Sequence, residues 1–109
     1  MRKVSFRPRA WKDVQESAEY LATEASDEIA ERFLDSVMNL AHTLVRTPHI
    51  GAPCSFRNLL LRRVRGLPVT GFENWLIFYQ ATDERIDIIR VLHGARDISA
   101  IFDQDSGLS

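Results

Sequence analysis

Apolar positions recur along the chain with two different periods, and the changes of period mark out its elements. Residues 3–7 alternate weakly, with Val4 and Phe6 on one side, which predicts a short strand. Pro8 ends that extended segment and suits the first turn of a helix. Over residues 8–23, Trp11, Val14, Ala18 and Leu21 fall at steps of three and four with Ala22 beside them, while Asp13, Glu16, Glu19 and Glu24 lie mostly off that stripe. After a break at 23–26, Ser26 is placed to accept from open amides at the head of a second helix. Asp27 and Glu28 suit its positive end. Residues 27–46 carry two adjacent stripes: Ile29, Phe33, Val37, Leu40 and Leu44, and Ala30, Leu34, Met38, Ala41 and Val45. A face this broad suits two surfaces, the first helix on one side and a sheet on the other. The helix ends before Pro48, in the punctuated run RTPHIGAPCS.

Residues 59–65, LLLRRVR, read as extended or transitional. Gly66, Pro68 and Gly71 interrupt the stretch between them and residue 72. The clearest strands are 75–81, WLIFYQA, and 86–92, IDIIRVL, rich in aromatic and β-branched residues and joined by the short turn TDER. Strict alternation puts Trp75, Ile77, Tyr79 and Ala81 on one face of the first. It puts Ile86, Ile88, Arg90 and Leu92 on one face of the second, opposite Asp87, Ile89, Val91 and His93. Apolar groups on both faces place this hairpin centrally in the sheet. After Gly94, ARDISAIF reads as a short terminal helix or a return strand, and residues 103–109 as a frayed tail. The expected fold is α+β, a single domain over 1–109. An N-terminal strand and an antiparallel helix hairpin pack on a small, mainly antiparallel sheet in the order β-α-α-β-β-β.

Composition narrows the function classes. A length of 109 residues supports one core, and an apolar fraction of 45% is that of an ordinary globular chain. No apolar run nears the roughly 20 residues of a membrane span. The start, MRKVSFRPRA, lacks the apolar stretch of a signal peptide, so a cytoplasmic location without membrane partners is expected. The single cysteine, Cys54, has no internal partner and fits a reducing compartment. The net charge of -1 provides no global basic field. Its distribution says more. From Arg57 to Arg96, seven arginines face four acids, a local net of +3, and no lysine follows Lys12, so positive charge there is all guanidinium.

The chain has no Gly-rich phosphate loop, no paired helical histidines and no serine nucleophile elbow. His42, His49 and His93 are scattered, and neither metal nor cofactor is expected. The candidate contacts are Arg62, Arg63, Arg65, Phe72, Arg90 and Arg96. Arg62, Arg63 and Arg65 form either a solvated strand face or a surface for acidic groups or phosphates, with Arg62 and Arg63 pointing to opposite sides if that segment is a strand. Phe72, after Gly71, is the aromatic best placed to be exposed and to anchor a partner. Arg90 lies in an apolar run, so it either reaches solvent at a sheet edge or pairs with a carboxylate. His93 is either a structural hydrogen-bond partner or part of a working surface with Arg96. RNA cleavage would draw on His93, Arg90, Arg96 and Arg65, but a second proton-transfer group is missing.

The run WLIFYQATDERIDIIRVLHGARDI, residues 75–98, resembles the ParE branch of the ParE/RelE toxin superfamily, also known as plasmid stabilisation proteins. The resemblance rests on Tyr79 in one strand, the apolar return strand Ile86 to Val91, and the ending Leu92, His93, Gly94 and Arg96. Ala10, Asp13, Phe33, Leu40, Leu44, Pro48, Gly51, Arg65 and the Gly71–Phe72 pair fit it too, over roughly residues 3–102. It implies a toxin neutralised by a cognate antitoxin, which has a DNA-binding N-terminal domain and a C-terminal segment that folds on the toxin. In the ParE branch the implied target is DNA gyrase, inhibited by binding rather than by catalysis. The alternative it implies is a RelE-like, ribosome-dependent endoribonuclease acting on messenger RNA. A non-toxic regulatory partner of a DNA-binding antitoxin is the third reading. The lack of lysine after Lys12 and of tyrosine after Tyr79, with Phe102 near the end, leans toward ParE.

Overall fold

A computed structural model describes residues 2–104; of the tail expected at 103–109, residues 103 and 104 instead close a helix that ends at Gln104, and 105–109 lie outside the described residues. Strand β1 (Lys3–Phe6) leads into helices α1 (Pro8–Glu24) and α2 (Asp27–Arg46), then strands β2 (Ala52–Pro53), β3 (Arg65–Val69), β4 (Phe72–Ala81) and β5 (Arg85–His93), and helix α3 (Ile98–Gln104). The five strands form one sheet in the order β1-β5-β4-β3-β2. Three pairings are antiparallel, and β1 runs parallel to β5. The β4–β5 hairpin is therefore central. The terminal segment left open between helix and strand is the helix α3, and Asp97 Oδ1 accepts from the Ala100 amide in its first turn.

The start of α2 follows directly from its residues. Ser26 is extended, and its hydroxyl accepts from the Ile29 amide at 3.1 Å, with Asp27 and Glu28 in the first turn. Its broad apolar face meets α1 on one side and β1, β3 and β5 on the other. The larger core joins Phe33, Val37, Leu40 and Leu44 to Ile77, Tyr79, Ile86, Ile88 and Val91. A smaller one on the far face of the sheet gathers Leu61, Val64, Phe78, Ile89 and Leu92 around Phe102 of α3.

Three sequence expectations are corrected. The first concerns α1. Trp11, placed in the apolar stripe, is 43% exposed and lies edge-on to Phe6, whereas Asp13, placed off the stripe, is only 5% exposed. The cause is Arg90, which alternation alone leaves open between solvent and a carboxylate. It is 2% exposed, and its Nε and Nη2 donate to Asp13 Oδ2 and Oδ1 at 2.7 and 3.0 Å. Arg90 is thus a core ion pair and not a surface contact for a partner.

The second concerns β5. The β4–β5 register shifts between Phe78 and Tyr79, whose partners are Arg90 and Ile88, leaving Ile89 as an extra residue. The bulge inverts the alternation beyond it. Val91, not Leu92, joins Ile86 and Ile88 in the helix-side core, and Leu92 packs with Ile89 on the other face.

The third concerns residues 59–65. Of the two readings, extended or transitional, the extended one fails over 59–64, and only Arg65 lies in a strand. Asn58 Oδ1 accepts from the Leu60 amide at 2.9 Å, and the Asn58 and Leu59 carbonyls accept from the Leu61 and Arg62 amides, closing a 3-10 turn over Leu59–Leu61. Local asparagine chemistry outweighs the aliphatic run. The strand starts at Arg65 and passes through Gly66 and Pro68. Among the described residues β2 pairs only with Arg65 and Gly66, which leaves the outer edge beyond without a strand partner, where proline is tolerated. Gly71 (φ 80°) makes the turn into β4.

Removing one member of the Asp13–Arg90 pair should leave a buried charge uncompensated. Asp13→Ala is expected to cost about 3–5 kcal/mol in urea unfolding, and the apolar double variant Asp13→Leu with Arg90→Met to recover most of it. A single-variant loss of only about 0.5 kcal/mol, the size of an ordinary surface change, would show that the pair does not hold α1 to the sheet.

Candidate functional site

Two clefts lie near opposite ends of β4. The first forms where the chain leaves α2. The Tyr79 hydroxyl donates to the Pro48 carbonyl at 2.8 Å and accepts from the Gly51 amide at 2.9 Å, clamping the loop between α2 and β2. Gly51 permits this contact, since a Cβ there would lie 2.8 Å from the Tyr79 ring and hydroxyl. Arg65 reinforces the same loop by donating from Nη1 to the Gly51 carbonyl at 2.8 Å and the His49 carbonyl at 3.2 Å. Because residues 59–63 turn rather than extend, Arg62 and Arg63 do not diverge. Both line one cleft of about 320 Å³ with Arg65, His49, Pro53, Val64 and Ala81.

Tyr79 is fully buried, and burial pushes its hydroxyl above the ordinary tyrosine range, while the Gly51 hydrogen bond and the Arg65 charge pull the other way. The sequence places Tyr79 on one face of a central strand, and its ring lies in the core. The polar clamp made by its hydroxyl is not visible from spacing.

The second cleft, about 440 Å³, lies at the other end of the hairpin between Glu16, Ser17, Tyr20, Trp75, His93 and Arg96. Here the bulge in β5 brings His93 to the helix side. Its ring stands edge-on to Trp75 with centroids 4.6 Å apart, and Trp75 Nε1 donates to Ser17 Oγ at 3.1 Å. His93 Nδ1 accepts from the Ala95 amide at 3.0 Å, so the neutral ring carries its proton on Nε2. His93 and Arg96 line this cleft together. Tyr20, 57% exposed, is not singled out by the sequence. Phe72 is half-buried against Phe33, with centroids 5.3 Å apart, and is less open than its place after Gly71 suggests.

The four residues of the nuclease alternative do not converge. Arg65 pairs across the sheet with Tyr79, and His93 pairs with Trp75, four positions away on β4. At about 3.3 Å per residue the separation is roughly 13 Å. Arg90 is committed to Asp13 in the core, and Arg65 to two carbonyls. Among the described residues no group of acidic, histidine and cysteine side chains could hold a metal ion, and no helix is long and apolar enough to cross a membrane.

This arrangement of a helix hairpin on a five-stranded mixed sheet is similar to that of solved structures. A chain of the chromosomal ParDE TA system from P. aeruginosa superposes with a TM-score of 0.67 at 16% identity, covering 85% of this chain and 96% of that one. YafQ from E. coli strain BL21(DE3) superposes with a TM-score of 0.52 at 18% identity, covering 87% of this chain and 96% of its own. Likeness at such low identity speaks for the fold. The sequence itself goes further: residues 4–98 match the family described as the ParE toxin of the type II toxin-antitoxin system, parDE, and the chain belongs to that family. No curated protein sequence is significantly similar to it.

Tyr79→Phe removes both bonds of the loop clamp and is expected to cost about 1–3 kcal/mol. It should also change the alkaline limb of the stability profile. The folded chain holds the Tyr79 proton more tightly than the unfolded chain does. That contribution is intact below the unfolded value of about 10 and lost as pH rises through the folded one. Unfolding midpoints of both proteins between neutral and alkaline pH test this, and parallel profiles would refute it.

Proposed function

We propose that this type II toxin acts by binding DNA gyrase, in the cytoplasm, and not by cutting RNA. As a ParE-family chain it has a cognate antitoxin; we infer that the antitoxin carries a DNA-binding N-terminal domain and a C-terminal segment that folds on the toxin. The observation that carries the binding reading is the separation of the groups that RNA cleavage would need. A general base, a general acid and charge-stabilising groups must meet around one phosphate. Here His93 and Arg96 lie in one cleft, Arg65 in another, and Arg90 inside the core between them. The net charge of -1 also suits a protein-binding inhibitor better than a chain that must enter an RNA cleft.

A ribosome-dependent endoribonuclease is the second reading, and the cleft of Arg62, Arg63 and Arg65 favours it. Guanidinium groups without a carboxylate partner can take a phosphodiester as well as a protein carboxylate.

Incorporation of labelled thymidine and labelled methionine, followed for minutes after induction without antitoxin, separates the two readings. The expected result is early loss of DNA synthesis with protein synthesis spared, unchanged by His93→Ala or Arg96→Ala in folded protein. Purified toxin should likewise block supercoiling of relaxed plasmid by gyrase. Early loss of protein synthesis, abolished by His93→Ala, would reverse the ranking.

A further inference from the structure

Residues 36–72 contain no Asp or Glu, yet hold Arg46, Arg57, Arg62, Arg63 and Arg65. Among the described residues none of Arg57, Arg62, Arg63 and Arg65 is ion-paired to a carboxylate, although Arg7, Arg9, Arg32 and Arg90 are. Next to the arginine-lined cleft, Leu59 and Leu60 are 74% and 81% exposed. They are the two most exposed large apolar side chains among the described residues. They do not dangle. The Asn58 cap fixes the turn from one side, and Leu61 (5% exposed) and Val64 (fully buried) anchor it in the smaller core. The fold gains nothing from holding two adjacent leucines in water, whereas an interface would remove them from it.

We propose that the turn Asn58–Arg63 and the cleft beside it form a docking epitope for an acidic, apolar segment of the antitoxin, with carboxylates meeting Arg62 and Arg63 and apolar side chains covering Leu59 and Leu60. The proposal rests on the chain being a toxin with an antitoxin partner. Charge complementarity selects the occupant's sign, since a cleft lined by planar guanidinium forks and by no carboxylate matches incoming carboxylates bidentately. The leucines select its class. Phosphates could meet the same arginines, but single-stranded nucleic acid is held by stacking on open aromatic faces. Here Tyr79 is fully buried, and Phe56 is stacked on Phe102 at 4.3 Å. Aliphatic side chains on a fixed turn suit the side chains of a peptide instead. The pre-set turn also lowers the ordering cost of binding on the toxin's side.

The test uses the full chain and the full-length product of the adjacent reading frame, titrated against each other at low and high salt. The variants are the pairs Leu59→Ser with Leu60→Ser and Arg62→Glu with Arg63→Glu. All four side chains are exposed, and thermal melting verifies that the variants fold. Each pair should weaken binding by roughly tenfold or more, and the charge-reversed pair should also flatten the salt dependence. Wild-type affinity in both variants overturns the epitope and leaves the toxin reading standing. Loss of binding to gyrase or to single-stranded RNA, with antitoxin binding intact, assigns the surface to the target and also overturns the proposal. Failure of the wild-type chain to bind the adjacent product removes the toxin–antitoxin reading itself, and the epitope with it.

Discussion

The fold turns on one buried charge pair. Asp13 on α1 accepts from Arg90 through both oxygens, and its Oδ2 accepts again from the Val91 amide at 3.1 Å. Taking a carboxylate and a guanidinium out of water is costly, and the cost is offset only where geometry is good and remaining lone pairs are used. Both conditions hold here. β5 bulges at this point, Arg90 reaches the helix side, and the Val91 amide binds a side chain of α1. The same bulge exchanges the faces of the strand beyond it. Val91 and His93 turn toward the helices, and Leu92 turns toward α3. Both cores and the second cleft therefore inherit their composition from the place where Arg90 meets Asp13. A purely apolar contact would tolerate sliding of α1 over the sheet, whereas a bidentate pair with a third hydrogen bond defines one position.

What local pattern governs is legible in the sequence. The first two helices end within a residue of the spans read from their apolar steps, 8–23 and 27–46. Ser26 caps α2 as its hydroxyl and the following acids indicate, and the aromatic, β-branched runs form the central hairpin. What depends on distant partners is not legible. Asp13 and Arg90 are 77 positions apart, and neither an acid on an apolar helix face nor an arginine in an apolar strand is intelligible without the other. Strict alternation also has no means of marking an extra residue, so it puts Leu92 on the wrong face. At residues 59–65 a short aliphatic run fits a strand or a turn equally well by periodicity. The Asn58 side chain decides between them. The three arginines that a strand would have splayed consequently share a cleft.

The net charge conceals how unevenly charge is distributed along this molecule. The value of -1 sums an acid-rich pair of helices and an acid-free stretch through residues 36–72. Arginine has a different fate in each setting. Arg90 is structural because Asp13 is buried beside it, and Arg7 is half-buried and ties the end of β1 to Asp87 on β5 at 2.8 Å. Arg65 spends its donors on loop carbonyls. Arg62 and Arg63 have no carboxylate to meet among the described residues. For an exposed guanidinium, hydration compensates for the missing partner, and the free chain bears little cost. The balance changes when a second molecule covers the surface. Water is then removed, and the charge must be met by the incoming partner or remain at a penalty. A neutral apolar partner gains from Leu59 and Leu60 but strands Arg62 and Arg63. A polyanion without apolar groups satisfies the arginines but leaves the leucines wet. The surface discriminates against both, because favourable binding requires the two chemistries side by side at the spacing that one turn sets.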